Sequence, residues 1–120
     1  MILVDTSVWV QHLRRGSREL EALLPKGEVI CHPFIIGELA CGSMKNRSEI
    51  LGLLKSLPQG VLAENDEVLA LVDQHRMYGR GLGWVDVHLI ASALLSDALL
   101  WTLDRPLRQA ADELGIRYSD

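Results

Sequence analysis

Apolar residues in this chain follow two rhythms: short unbroken runs, and stripes that recur every three or four positions. Ile2-Leu3-Val4, Val29-Ile30-Cys31 and Leu99-Leu100-Trp101 are runs without a polar break, the pattern of strands buried on both faces of a sheet. Between them lie helical stripes. The side-chain oxygens of Asp5-Thr6-Ser7 predict a capped helix through Trp9 and Leu13 toward Gly16, and Ser17 caps a second one that carries Leu20, Leu23 and Leu24 and stops near Pro25-Lys26-Gly27. Pro33, suited to a first helical turn, opens a helix through Ile35, Ile36, Leu39 and Ala40. Asn46 to Leu57 forms the next. Asn65-Asp66 caps a helix with Val68, Leu69, Leu71, Val72 and Met77, Asp86 to Leu95 forms another, and Arg105 to Leu114 the last, with Gly115 as its stop. Gly79, Gly81 and Gly83 make a loop, and Val61-Leu62 and Ile116-Arg117-Tyr118 are candidates for short additional strands.

Short apolar strands separated by helices define an α/β protein with a parallel sheet covered on both faces. With 120 residues, 48% of them hydrophobic, the chain suits one domain over residues 1–120. No apolar run approaches the ~20 residues of a membrane helix, and the opening carries no basic leader, so no membrane partner and a cytoplasmic location are expected. Cys31 and Cys41 lack companion ligands and are read as reduced packing residues. A net charge of −4 argues against a protein that grips nucleic acid by bulk positive charge, although bound cations can restore positive potential locally.

In open parallel sheets, ligands bind beyond the carboxyl ends of the strands, which directs attention to the acids placed there. Asp5 follows the first strand directly and Asp104 stands just past the Leu99 run; Glu38 falls in the helix after the second strand, and Asp86 opens the helix that precedes the last. Taken singly, each is an ordinary helix cap or surface acid. Gathered together they would repel one another and raise each other's pKa values unless cations neutralised them, and such hard oxygen ligands suit Mg²⁺ or Mn²⁺.

The ordered set Asp5-Thr6-Ser7-Val8, Ile36-Gly37-Glu38-Leu39, Trp84-Val85-Asp86-Val87-His88-Leu89-Ile90-Ala91-Ser92-Ala93 and Trp101-Thr102-Leu103-Asp104 resembles the four acidic motifs of PIN domains. Its spacing over nearly the whole chain is similar to that of VapC-type toxins. That resemblance implies an α/β/α sandwich with a mostly parallel sheet, endoribonuclease activity on structured RNA such as tRNA, a divalent metal, a VapB-type antitoxin partner and a homodimer. Asp5, Asp86 and Asp104 would hold the metal, with Glu38 helping to hold a second ion or the attacking water. Thr6, Ser7 and Thr102 would orient the carboxylates, and Arg14, Arg15, Arg105 and Arg108 would form a basic rim for phosphates. The family's last motif often carries a second Asp two positions on, where this chain has Pro106.

Other readings weaken on particular residues. A receiver-type signalling domain needs a lysine after a late strand, and Lys26, Lys45 and Lys55 all precede Leu99. A haloacid-dehalogenase-like phosphatase needs a second Asp where Ser7 stands. Gly79-Arg80-Gly81-Leu82-Gly83 follows a helix rather than a strand, so the dinucleotide fingerprint fails. His12, His32, His75 and His88 are scattered and are assigned ordinary packing or surface roles. Two alternatives stay open: a PIN-like RNA-binding module without turnover, and a solitary RNA-processing nuclease.

Overall fold

Ile2, Leu3 and Val4 are buried in succession, which requires cover on both faces of the strand and a neighbour at each edge. The computed structural model, which describes residues 1–119, provides all of these. β1 (Ile2–Val4) lies between β2 (Val29–Ile30) and β3 (Leu99–Trp101), both parallel to it, in the order β2-β1-β3. Ile2 pairs with Val29 on one side and Leu99 on the other, and Val4 pairs with Trp101. The ladder continues one residue past β1, where Asp5 N–H donates to the Trp101 carbonyl at 2.9 Å.

The helices are α1 (Thr6–Arg15), α2 (Arg18–Leu23), α3 (Pro33–Cys41), α4 (Arg47–Ser56), α5 (Asn65–Gln74), α6 (Trp84–Leu95) and α7 (Arg105–Glu113), with a 3₁₀ turn at Leu24–Lys26. Their starts follow local chemistry. Ser17 Oγ accepts from Leu20 N–H, and Pro33 and Pro106 occupy first-turn positions where no N–H is needed. α6 is the central helix: residues 87 to 93 are all buried, which explains a segment apolar nearly all round. It shares the main core with Leu3, Val8, Leu20, Ile35, Leu100 and Leu107, while Ala63 and Val68 pack with Val87 and Ala91 in a smaller cluster. Trp9 is buried in this core.

Several boundaries differ from the sequence expectation. Val61-Leu62 forms no strand: the pairing partner of Cys31 is Gln59, and Val61 N–H is held by Ser96 Oγ at 2.9 Å. The reason is Gly60, which passes so close to α6 that a Cβ would lie 2.5 Å from Ser92 Oγ, after which the chain turns outward. Ile116-Arg117-Tyr118 contributes one isolated parallel bridge, Arg117 with Leu100, instead of a strand. α5 is capped by Glu64, not by Asn65-Asp66, because Glu67 reaches back to the Glu64 N–H at 2.9 Å. α6 begins at Trp84, so Asp86 lies inside its first turn instead of opening it.

Candidate active site

Because β1 and β3 are parallel neighbours in register, they deliver the residues that follow them to the same edge of the sheet. Asp5 occupies the N-cap position of α1, yet its side chain makes no capping bond. Its Oδ2 instead accepts from Ser7 Oγ at 2.8 Å and from Thr102 Oγ1 at 2.7 Å. Each hydroxyl is in turn fixed by the loop after β3: Ser7 Oγ accepts from Leu103 N–H and Thr102 Oγ1 from Asp104 N–H, both at 3.0 Å. Two hydroxyl donors thus converge on one oxygen of a buried carboxylate and fix its direction.

The other three acids are tethered in the same half-engaged way. Glu38 Oε1 accepts from Thr6 Oγ1 at 2.7 Å, Asp86 Oδ2 from Gly83 N–H at 2.8 Å, and Asp104 Oδ2 from Leu107 N–H at 3.1 Å, where it caps α7. Oδ1 of Asp5, Asp86 and Asp104 and Oε2 of Glu38 form no hydrogen bond among the described residues. One oxygen of each acid is oriented by the protein and the other is left open.

Electrostatics link the set. Burial raises the pKa of the half-buried Asp86; the Gly83 N–H pulls it back, and the negative charges of Asp104, Asp5 and Glu38 push it up again. Asp86 therefore lies close enough to the other three to feel each charge. Among the described residues, no three His, Cys, Asp or Glu side chains are drawn close enough to enclose one ion together. The donor chemistry still fits a hard dication, since Mg²⁺ is ordinarily bound through one or two carboxylates and several waters.

The remaining predicted residues fall around this centre. Thr6, Ser7 and Thr102 each bond a carboxylate of the set. Arg14 lines an open cleft of about 810 Å³ that begins at Thr6 and Glu38 and runs over an apolar floor of Val10, Leu13, Leu39 and Ile50. Arg15 and Arg105 are exposed and Arg108 is half-buried. None of these arginines forms an ion pair, the one described pair being Arg80 with Glu113 at 2.7 Å. Pro106 stands beside the glycine loop, 3.6 Å from where a Cβ on Gly81 would lie.

Sequence reasoning missed a buried aromatic ladder beside the acids. His32 caps α3 by accepting Phe34 N–H on Nδ1, and its ring meets Phe34 edge-on; Phe34 meets His88, and His88 meets Trp84. Burial, reinforced by the neighbouring His88, lowers the His32 pKa to about 4, and burial also lowers that of His88. The i, i+4 spacing of Trp84 and His88 was the available signal.

An acid cluster at the carboxyl edge of a small parallel sheet, assembled from β1, α3, α6 and the loop after β3, is the arrangement of a PIN domain. The profile of that family matches residues 2–113, and the chain belongs to the PIN-domain family, in its VapC ribonuclease branch. Over 121 aligned positions it is 49% identical to Ribonuclease VapC32 of Mycobacterium tuberculosis, in strains CDC 1551 / Oshkosh and ATCC 25618 / H37Rv alike. The alignment covers all of this chain and 98% of each relative. The α/β class and the family reading of the sequence both stand.

Proposed function

We propose that this chain is a divalent-metal-dependent endoribonuclease, the toxin of a toxin–antitoxin pair, and that it cuts RNA at the cluster of Asp5, Glu38, Asp86 and Asp104. The observation that carries this reading is that Asp86, whose pKa burial raises, is pushed up further by the charges of each of the other three acids. Carboxylates left facing one another without a counter-ion destabilise the fold, and a cation would relieve them.

Asp5, Asp86 and Asp104 would hold Mg²⁺ or Mn²⁺ between them, one or two directly and the remainder through the ion's waters. Such an ion supplies positive charge for the phosphate and acidifies water at neutral pH. Ser7 and Thr102 hold Asp5 in one orientation, so its open oxygen is already aimed before RNA arrives. Glu38 is exposed and reaches the solvent of the cleft, where it can accept a proton from the attacking water. The open arginines Arg14, Arg15, Arg105 and Arg108 would engage phosphates and so compensate for the net charge of −4.

The same cleft suits the antitoxin. Its apolar floor opens onto Glu38, so a VapB-type segment lying along Val10, Leu13, Leu39 and Ile50 would block the site from the side. A homodimer would bury exposed apolar residues at the start of the sheet, where Met1 and Leu99 lie side by side. No helix among the described residues is long and apolar enough to cross a membrane, and we place the protein in the cytoplasm.

The test is incubation of purified protein with total RNA in Mg²⁺, in Mn²⁺ and in EDTA. Cleavage that requires metal and disappears in folded Asp86→Asn is expected. Cleavage in EDTA, or equal cleavage by Asp86→Asn, refutes the assignment. Retained RNA binding without any cutting by the wild type would favour a non-catalytic module.

A further inference from the structure

We infer that Arg80 is a positioning residue for Asp86: its ion pair with Glu113 clamps the glycine loop to α7 and so fixes the stretch of chain that holds the Asp86 carboxylate. This rests on the nuclease reading above and adds to it a residue outside the acid cluster on which the cluster's geometry depends.

The loop has little of its own to hold it. Met77 before it is buried and Leu82 within it is half-buried, both packed on the core. Between them Tyr78 is exposed, and Gly79 and Gly81, with φ of +69° and +78°, carry no side chain. Arg80 is left as the anchor of this stretch. Its Nη2 donates to Glu113 Oε2 at 2.7 Å, and Glu113 is itself braced one turn back along α7, where Gln109 Nε2 donates to its Oε1 at 3.5 Å.

The clamp joins two helices that each carry an acid. Pro106, Ala110 and Glu113 recur at helical spacing on one face of α7. A Cβ on Gly81 would lie 3.6 Å from Pro106, and Arg80 and Glu113 line a cavity of about 130 Å³ with His75, Met77, Ala110 and Leu114. The chain from His75 to Gly81 therefore runs along that face. α7 begins at Asp104, whose carboxylate caps it. The loop ends at Gly83, the N-cap of α6, whose N–H donates to Asp86 Oδ2 at 2.8 Å. The path of the loop thus sets the direction of that N–H, and with it the carboxylate, relative to the helix that Asp104 caps.

Glycines make this loop costly to order, since each has more backbone freedom to lose than any other residue. A partly exposed ion pair shifts such an order–disorder balance by about 2- to 5-fold. A phosphate contact is the rival role for Arg80, but its charge is already engaged by a carboxylate, whereas Arg14, Arg15, Arg105 and Arg108 form no ion pair.

The two roles separate at Glu113. In metal-free protein, the amides of Gly81, Leu82 and Gly83 should exchange hydrogen about 2- to 5-fold faster in Arg80→Gln and in Glu113→Gln than in wild type. Wild-type exchange there should rise toward the variants' rate between about 0.05 M and about 0.5 M salt, as the pair is screened. Calorimetric titration should show Mn²⁺ binding about 2- to 5-fold weaker in both variants, and kcat for RNA should fall with KM unchanged. The doubly reversed Arg80→Glu, Glu113→Arg protein should recover most of each loss. Wild-type exchange and Mn²⁺ affinity in both single variants overturns the inference, as does failure of the reversed pair to recover either. A raised KM in Arg80→Gln with Glu113→Gln unaffected reassigns Arg80 to an RNA phosphate and likewise overturns it. Should a single variant fail to fold, the salt dependence of wild-type loop exchange decides. Faster exchange and weaker Mn²⁺ binding in variants of a protein that never cuts RNA would keep the clamp and remove the nuclease reading. Metal-dependent cutting that neither variant alters, with exchange unchanged, would do the reverse.

Discussion

Acidification should unfold this protein earlier than its carboxylates alone would require, and His32 is the reason. Its ring is fully buried, Nδ1 accepts the Phe34 N–H that begins α3, and Nε2 has no partner. Because Nδ1 accepts, Nε2 carries the proton of the neutral ring, and a second proton must go to Nδ1, where it abolishes the cap and places a charge in the core beside His88. The folded state therefore takes up the proton at about pH 4, whereas the unfolded chain takes it up near the ordinary 6.5. The sign follows: stability is whole above 6.5 and is lost as pH falls toward 4, because the unfolded state binds more protons in that window. The loss amounts to roughly 2 kcal/mol by pH 5 and about 3 kcal/mol by pH 4. Urea titrations at about pH 7.5 and about pH 5 can isolate it when wild type is compared with His32→Asn, whose amide oxygen can still accept the Phe34 N–H but cannot titrate. The stability gap between the two proteins should change by about 2 kcal/mol across that interval, to the disadvantage of the wild type. Parallel pH dependences would refute the argument.

Four further outcomes are expected. Asp86→Asn should raise the Tm of metal-free protein at neutral pH, since the raised pKa of Asp86 means that its charge opposes folding; scanning calorimetry in EDTA reads this, and a lowered Tm contradicts it. Mg²⁺ at 100 times its Kd should raise wild-type stability by about 2.7 kcal/mol, and Asp86→Asn should lose most of that gain. Ser7→Ala and Thr102→Val each free one constraint on Asp5 Oδ2 and should lower cleavage rate or cation affinity about 10- to 100-fold with little change in fold, checked by calorimetric titration. Gly60→Ala drives a methyl to within 2.5 Å of Ser92 Oγ and should destabilise the protein by about 1 to 3 kcal/mol in urea, an effect that Ser92→Ala should partly relieve.

The legible parts of the fold were those in which one strong local signal acted alone. Ile2-Leu3-Val4 and Leu99-Leu100-Trp101 could only be buried strands, and Ser17 could only begin a helix. The acid cluster was readable because strand ends are fixed points of an α/β sheet, so Asp5 and Asp104 had a common destination whatever the intervening helices did. Misreadings arose where two signals competed within a few residues. Glu64 prevailed over Asn65 as cap because its box with Glu67 satisfies donors reciprocally, and Val61-Leu62, apolar but displaced by the close passage of Gly60, lost its place in the sheet. Of the aromatic ladder only the Trp84–His88 step was within reach; the rest depends on α3 and α6 lying side by side, and no spacing in the sequence encodes that contact.

The middle strand of the sheet is the first to be synthesised, and one of its two partners comes after nearly a hundred intervening residues. A nascent chain emerging from the ribosome holds Asp5 early but cannot seat it, because the hydroxyl of Thr102 and the carboxylate of Asp104 are still unmade or within the exit tunnel. Topology alone thus delays completion of this hydrogen-bonded cluster until the last strand closes.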